Sequence, residues 1–159
     1  MIDYMIELDT ESYLDREWGF CNLCMHKNVD IVKKYVEKYK PDLNSIYDPL
    51  MRATMHKNIN VIKFLLDNGS IITENSIAHA MDNICDLPRD IEIIKLFIEK
   101  GMPLENLCRQ LFKCMFSDLD HYRSIESDFY RLILKLLFEK NYNYNDMFYN
   151  ISQQKIINS

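Results

Sequence analysis

The sequence predicts an all-α fold, a short solenoid of about four helix-turn-helix units with a capping helix at each end. Three observations predict it. First, NINVIKFLLDNG at Asn58 to Gly69 returns as NVDIVKKYVEKY from Asn28, as DIEIIKLFIEKG from Asp90 and as RLILKLLFEKN over Arg131 to Asn141. Second, each return places four apolar residues at i, i+1, i+4 and i+5, which puts them on one stripe of a 3.6-residue helix. The sets are Ile31, Val32, Tyr35, Val36; Val61, Ile62, Leu65, Leu66; Ile93, Ile94, Phe97, Ile98; and Ile133, Leu134, Leu137, Phe138. Third, a shorter apolar segment precedes each of these B helices, and the first two end in the same letters, MHKN, at Met25–Asn28 and Met55–Asn58.

Taken in order, residues 1–16 form an acidic N-terminal cap, with Ile2, Met5 and Ile6 at helical spacing. The four units then occupy about 17–46, 47–73, 74–104 and 105–145, and 146–159 is a C-terminal cap or incomplete fifth unit opening with DMFYNI. The shorter A helices are expected near Trp18–Met25, Pro49–Met55, Ser76–Asn83 and Leu107–Phe116. The third A-to-B connection, Ile84–Arg89, reads as a longer loop, and the fourth as an excursion over Ser117–Ser127. Each B helix ends at a residue suited to a left-handed cap, Gly69, Gly101 or Asn141, with Tyr39 the exception.

Composition narrows the function classes. Residues 1–17 hold six acids and one base, which accounts for the whole formal charge of −5; the remainder is balanced. A chain with no basic cluster lacks what neutralises phosphates, so no nucleic-acid partner is expected. An acidic start is unlike a secretory leader, and no apolar run approaches the roughly 20 residues of a membrane span, so the expectation is no membrane and a cytoplasmic location. Five cysteines without framework spacing fit a reducing compartment. Cys21 and Cys24 form a CxxC inside an expected helix with no second ligand pair, so they are read as buried thiols and no metal is expected. With three scattered glycines, isolated His79 and His121, and no nucleophile–base motif, neither a cofactor nor an enzyme is expected. Lys33, Lys63, Lys95 and Lys135 recur at one helical position with acids nearby and read as a solvated face.

A stride near 33 residues, two helices per unit and a second helix ending in LLDNG resemble ankyrin repeats. DPLMRA at Asp48–Ala53 is similar to the segment that opens the ankyrin A helix, with Pro49 in the first turn. The resemblance extends in weaker form over about 17–150, and divergent Asn- and Ile-rich arrays of this kind resemble those of large DNA viruses, mimivirus-like or poxvirus-like. It implies an ankyrin-like solenoid with shortened hairpin loops or plain loops, since too few residues separate successive units for full β-hairpins. It also implies that two residues near the end of each A helix face the concave surface: Met25 and His26, Met55 and His56, Asp82 and Asn83, Lys113 and Cys114. Tyr122 and Arg123, of residue types common at binding hot spots, offer a second contact site on the 117–127 excursion. The implied function is non-catalytic protein recognition, by a monomeric viral or pathogen effector that binds a host protein in the host cytoplasm. The alternative is a self-associating structural or assembly protein.

Overall fold

The computed structural model describes residues 13–81, 87–116 and 126–140, and among them every regular element is a helix. In chain order these are α1 (Tyr13–Cys24), α2 (Val29–Tyr39), α3 (Pro49–Met55), α4 (Ile59–Asp67), α5 (Glu74–Met81), α6 (Leu87–Glu99), α7 (Leu104–Phe116) and α8 (Glu126–Glu139). They lie in two rows. The A row packs α1 on α3, α3 on α5 and α5 on α7; the B row packs α2 on α4, α4 on α6 and α6 on α8. Within units, α1 packs on α2, α3 on α4 and α5 on α6. None of the described helices is long and apolar enough to cross a membrane.

The repeated stripe becomes the core. Val61, Ile62, Leu65 and Leu66 of α4 are all buried, as are Ile93, Ile94 and Phe97 of α6. Burial falls away at both ends of the B row. In α2 only Val32 and Tyr35 are fully covered, while Ile31 and Val36 are half-buried. In α8 Ile133 and Leu137 are buried, yet Phe138 is 65% exposed. The same pattern is thus buried at all four positions in α4, at three in α6, where Ile98 is half-buried, and at only two in each outer helix.

Local chemistry fixes the helix ends. Asn28 caps α2 by accepting from the Asp30 N–H at 3.0 Å. Asp48 caps α3 through the Met51 N–H at 2.8 Å, with Pro49 in the first turn where it has no N–H to lose. Thr73 does the same for α5 through the Ser76 N–H. Gly69 and Gly101 take the left-handed backbone after α4 and α6, with φ of 96° and 89°. After α2 it is Lys40, next to the exceptional Tyr39, that turns left-handed at φ 48°, its N–H donating to the Val36 carbonyl.

Several boundaries differ from the sequence expectation. α1 starts at Tyr13, five residues before Trp18. α5 and α7 begin two and three residues early, at Glu74 and Leu104. α6 begins at Leu87, so the Ile84–Arg89 connection is shorter than expected and Pro88 sits in the first helical turn. α8 begins at Glu126, inside the expected excursion. Of the two expected forms, shortened hairpins or plain loops, the described connections between units are plain loops. Side chains lace the loops together. Asn44 accepts from the Ile71 N–H at 2.8 Å and donates to the Gly69 carbonyl at 3.3 Å, its amide supplying the donor and acceptor that a strand's backbone would supply. Ser70 donates to the Leu43 carbonyl and Thr73 to the Asp48 carboxylate.

Buried polar residues set the spacing between units. The Asn58 amide donates to the carbonyls of Cys24 and Met25, at 3.1 and 2.7 Å, and so closes the end of α1 in the preceding unit. The equivalent residue one unit on is Asp90, which is fully buried. A carboxylate has nothing to donate to a carbonyl; it pairs with the ammonium of Lys57, itself held in a left-handed backbone at φ 54°. Removing the cation leaves a buried charge uncompensated. Lys57→Met is therefore expected to lower unfolding free energy by about 3 kcal/mol in urea titration, and Asp90→Asn in the same chain to recover most of it. Lys40→Gly is expected to act oppositely, raising stability by about 1 kcal/mol by relieving the left-handed lysine.

Candidate functional site

The end of each A helix and its outward face carry the residues singled out in the sequence. Met25 follows the last residue of α1 and Met55 ends α3; both are half-buried. His26 and His56 are exposed in the turns that follow, where the His26 N–H donates to the Leu23 carbonyl and the His56 N–H to the Arg52 carbonyl. The repeated MHKN therefore places two Met-His pairs at matching points on adjacent helices. Lys113 is exposed on α7. Asp82, Asn83, Tyr122 and Arg123 lie outside the described residues, as do the 1–12 part of the acidic cap and the 146–159 segment; the side chain of Cys114 is likewise not described.

Other residues join this face that the letters did not disclose. One turn before Met55 and His56 stand Met51 and Arg52, both half-buried. By the core register Arg52 corresponds to Asn22 on α1 and His79 on α5, also half-buried. Trp18, the single tryptophan, is 58% exposed on α1. The signal that would have found them is the i−4 neighbour relation on a helix, which puts Met51 and Arg52 on the face already assigned to Met55 and His56.

The two ends of the face differ electrostatically. At the α5–α7 end, Glu74 takes both Arg109, at 3.2 Å, and Lys113, at 3.9 Å, and Arg109 also reaches Glu105 at 3.0 Å. Glu74, Ile77, Asn106, Arg109, Gln110 and Lys113 surround a dimple of about 10 Å³, room for one water. At the α1–α3 end the cation is Arg52, which has no ion-pair partner among the described residues. On the opposite side of the molecule Lys33, Lys63, Lys95 and Lys135 are exposed.

Beneath the α1–α3 end lie the two cysteines of the CxxC, both buried free thiols. Burial pushes the Cys21 thiol from 9.0 up to about 11. Burial raises Cys24 further still, with Cys21 adding to the effect. Such thiols are protonated and unreactive at neutral pH. No group of three or more metal-ligating side chains occurs among the described residues. Burial also raises Tyr35, whose hydroxyl donates to the Arg16 carbonyl at 2.9 Å. An acid whose folded pKa is raised contributes stability that is complete below its unfolded value and disappears as pH climbs through the folded one. Unfolding free energy is thus expected to decline between pH 9 and about 11, and Cys21→Ala to flatten part of that decline in urea titrations across the range.

No known family pattern matches the chain, and no solved structure matches it. Over 67 residues, 40% of its length, the chain is 33% identical to BTB/POZ domain-containing protein 3 of Schizosaccharomyces pombe. It spans 12% of that protein.

Proposed function

We propose that the chain is a non-catalytic protein-recognition module, an ankyrin-like solenoid that reads a protein segment across the outward face of its A row. The observation that carries this reading is the run of half-buried Met25, Met51 and Met55 at matching or adjacent helical positions, with Trp18 exposed nearby. Thioethers are polarizable and adaptable, suited to side chains of varied shape, and tryptophan is a common anchor at interfaces. The ladder of A-on-A and B-on-B packing supports the solenoid part of the proposal. The likeness to a BTB/POZ domain-containing protein agrees with a role in protein association. The narrower form, a monomeric viral or pathogen effector acting on a host protein, rests on the resemblance to the ankyrin arrays of large DNA viruses.

A second reading, self-association, is favoured by α8, where Leu132 and Phe138 are 37% and 65% exposed. In the other B helices the residue matching Leu132 is polar: Asp30, Asn60 or Glu92.

Selection of a twelve-residue displayed peptide library on the immobilised intact chain tests the first reading. Synthesised winners are then titrated against the wild type and against the Met25→Ala, His26→Ala, Met55→Ala, His56→Ala quadruple variant. The variant is expected to keep its helical circular dichroism, since Asn58 holds the end of α1 through the carbonyl of Met25 and not its side chain. Affinity is expected to fall at least tenfold, about 1.4 kcal/mol. Full affinity in the folded variant would remove the A-row face from the proposal. Loss on deleting residues 118–125 would instead assign contact to the Tyr122 and Arg123 segment. Concentration-dependent sedimentation of the chain alone would favour self-association.

A further inference from the structure

Arg52 is the unusual residue of the A-row face. The residue is half-buried, and its guanidinium has no ion-pair partner among the described residues. The acid one turn away does not take it: the two oxygens of Asp48 accept from the Met51 N–H and the Thr73 hydroxyl, at 2.8 and 2.7 Å. The other arginine of the face, Arg109, is held by Glu74 and Glu105. Arg52 is thus a cation with open donor capacity, on the same helix face as the half-buried Met51 and Met55, in a chain whose net charge is −5.

We infer that the segment recognised by the A-row face is an acidic peptide in extended form, whose one carboxylate side chain pairs with Arg52 while apolar neighbours rest on Met51 and Met55. This rests on the recognition reading above and specifies its ligand. The planar guanidinium matches a carboxylate with two parallel N–H···O bonds, and one unpaired arginine balances one such charge. A polyanion is disfavoured by the overall negative charge, whereas a single carboxylate within an apolar segment is little repelled over distances beyond the roughly 8–10 Å screening length. Spacing adds a register. Neighbouring packed helices lie about 8–10 Å apart and an extended chain rises about 3.3 Å per residue, so a crossing peptide advances about three residues per A helix. Asn22 and His79, which match Arg52 on α1 and α5, then face positions three before and three after the acid.

The peptides selected on the intact chain supply the test. Winners are expected to carry Glu or Asp at a fixed position, flanked by apolar residues. Replacing that acid by its amide is expected to weaken binding to the wild type about tenfold and to have little effect on binding to Arg52→Gln. Arg52→Lys is expected to restore part of the loss, and both variants are checked by circular dichroism. Winners that bind the A-row face without an acid would overturn this inference and leave the recognition reading standing. An acid effect of equal size in wild type and Arg52→Gln would also overturn it. Failure of every winner to depend on the A-row face would remove both. Two other occupants are run beside them: a synthetic peptide of residues 1–12 and vesicles containing phosphatidylserine. Arg52-dependent binding of either one in preference to the selected peptides would overturn the assignment to an external acidic peptide.

Discussion

The rest of this structure depends on burial shared between neighbours. No helix pair here encloses its own apolar stripe. The four-residue stripe of α4 is covered because α2 and α6 lie on either side of it, and Ile93, Ile94 and Phe97 of the α6 stripe because α4 and α8 do. Each aliphatic or aromatic side chain so covered contributes about 1.5–3 kcal/mol, against an ordering cost of about 1–2 kcal/mol for every residue's backbone. One unit alone gives a poor balance; several in contact give a favourable one. The half-covered stripes of α2 and α8 are the same sequence pattern with one neighbour fewer.

Burial sets how many contacts form, while the polar residues between units set where they form. Asn58 and Asp90 occupy equivalent places and do opposite chemistry, one donating to helix-end carbonyls, the other receiving a lysine. The exchange of amide for carboxylate needed a cation within reach, and Lys57 of the repeated MHKN provides it. Divergence between units is therefore a matched change of two residues across a boundary, and a slip of one unit against the next would leave Asp90 buried without its partner. Cross-unit pairs nearer the surface, Lys100 with Asp67 and Arg109 with Glu74, point the same way with weaker force, because exposed pairs are worth little.

What was legible in the sequence follows from which signals are periodic. The B helices could be read because a stripe of four apolar residues repeats with helical period, and the Met-His pairs because duplicated letters announce themselves. The start of α6 could not, since a proline in the first turn looks the same as a proline that ends a loop. The lacing of the loops by Asn44 and Ser70 was hidden because it depends on single residues with no pattern around them. Arg52 was hidden for a related reason: its counterparts are Asn22 and His79, so only the core register, and not the letters, aligns them. The two cysteines were readable as core because their helix lacked the second ligand pair that a metal site demands.

The junction chemistry also bears on recognition. The amide of Asn58 fixes the carbonyl of Met25, and the left-handed Lys57 sits one residue after His56, so the ends of α1 and α3 are held by the units that follow them. The Met-His pairs are then presented by backbone whose position is set before any ligand arrives. Association loses freedom in every group that must be ordered on binding, and a surface already ordered loses less. The residues that keep the repeats in register therefore also pre-position the A-row face. On the proposed reading, a ligand crossing α1 and α3 would meet two rungs whose spacing is fixed by the Asn58 bonds, and the register of an extended peptide against Arg52 would follow from the fold itself.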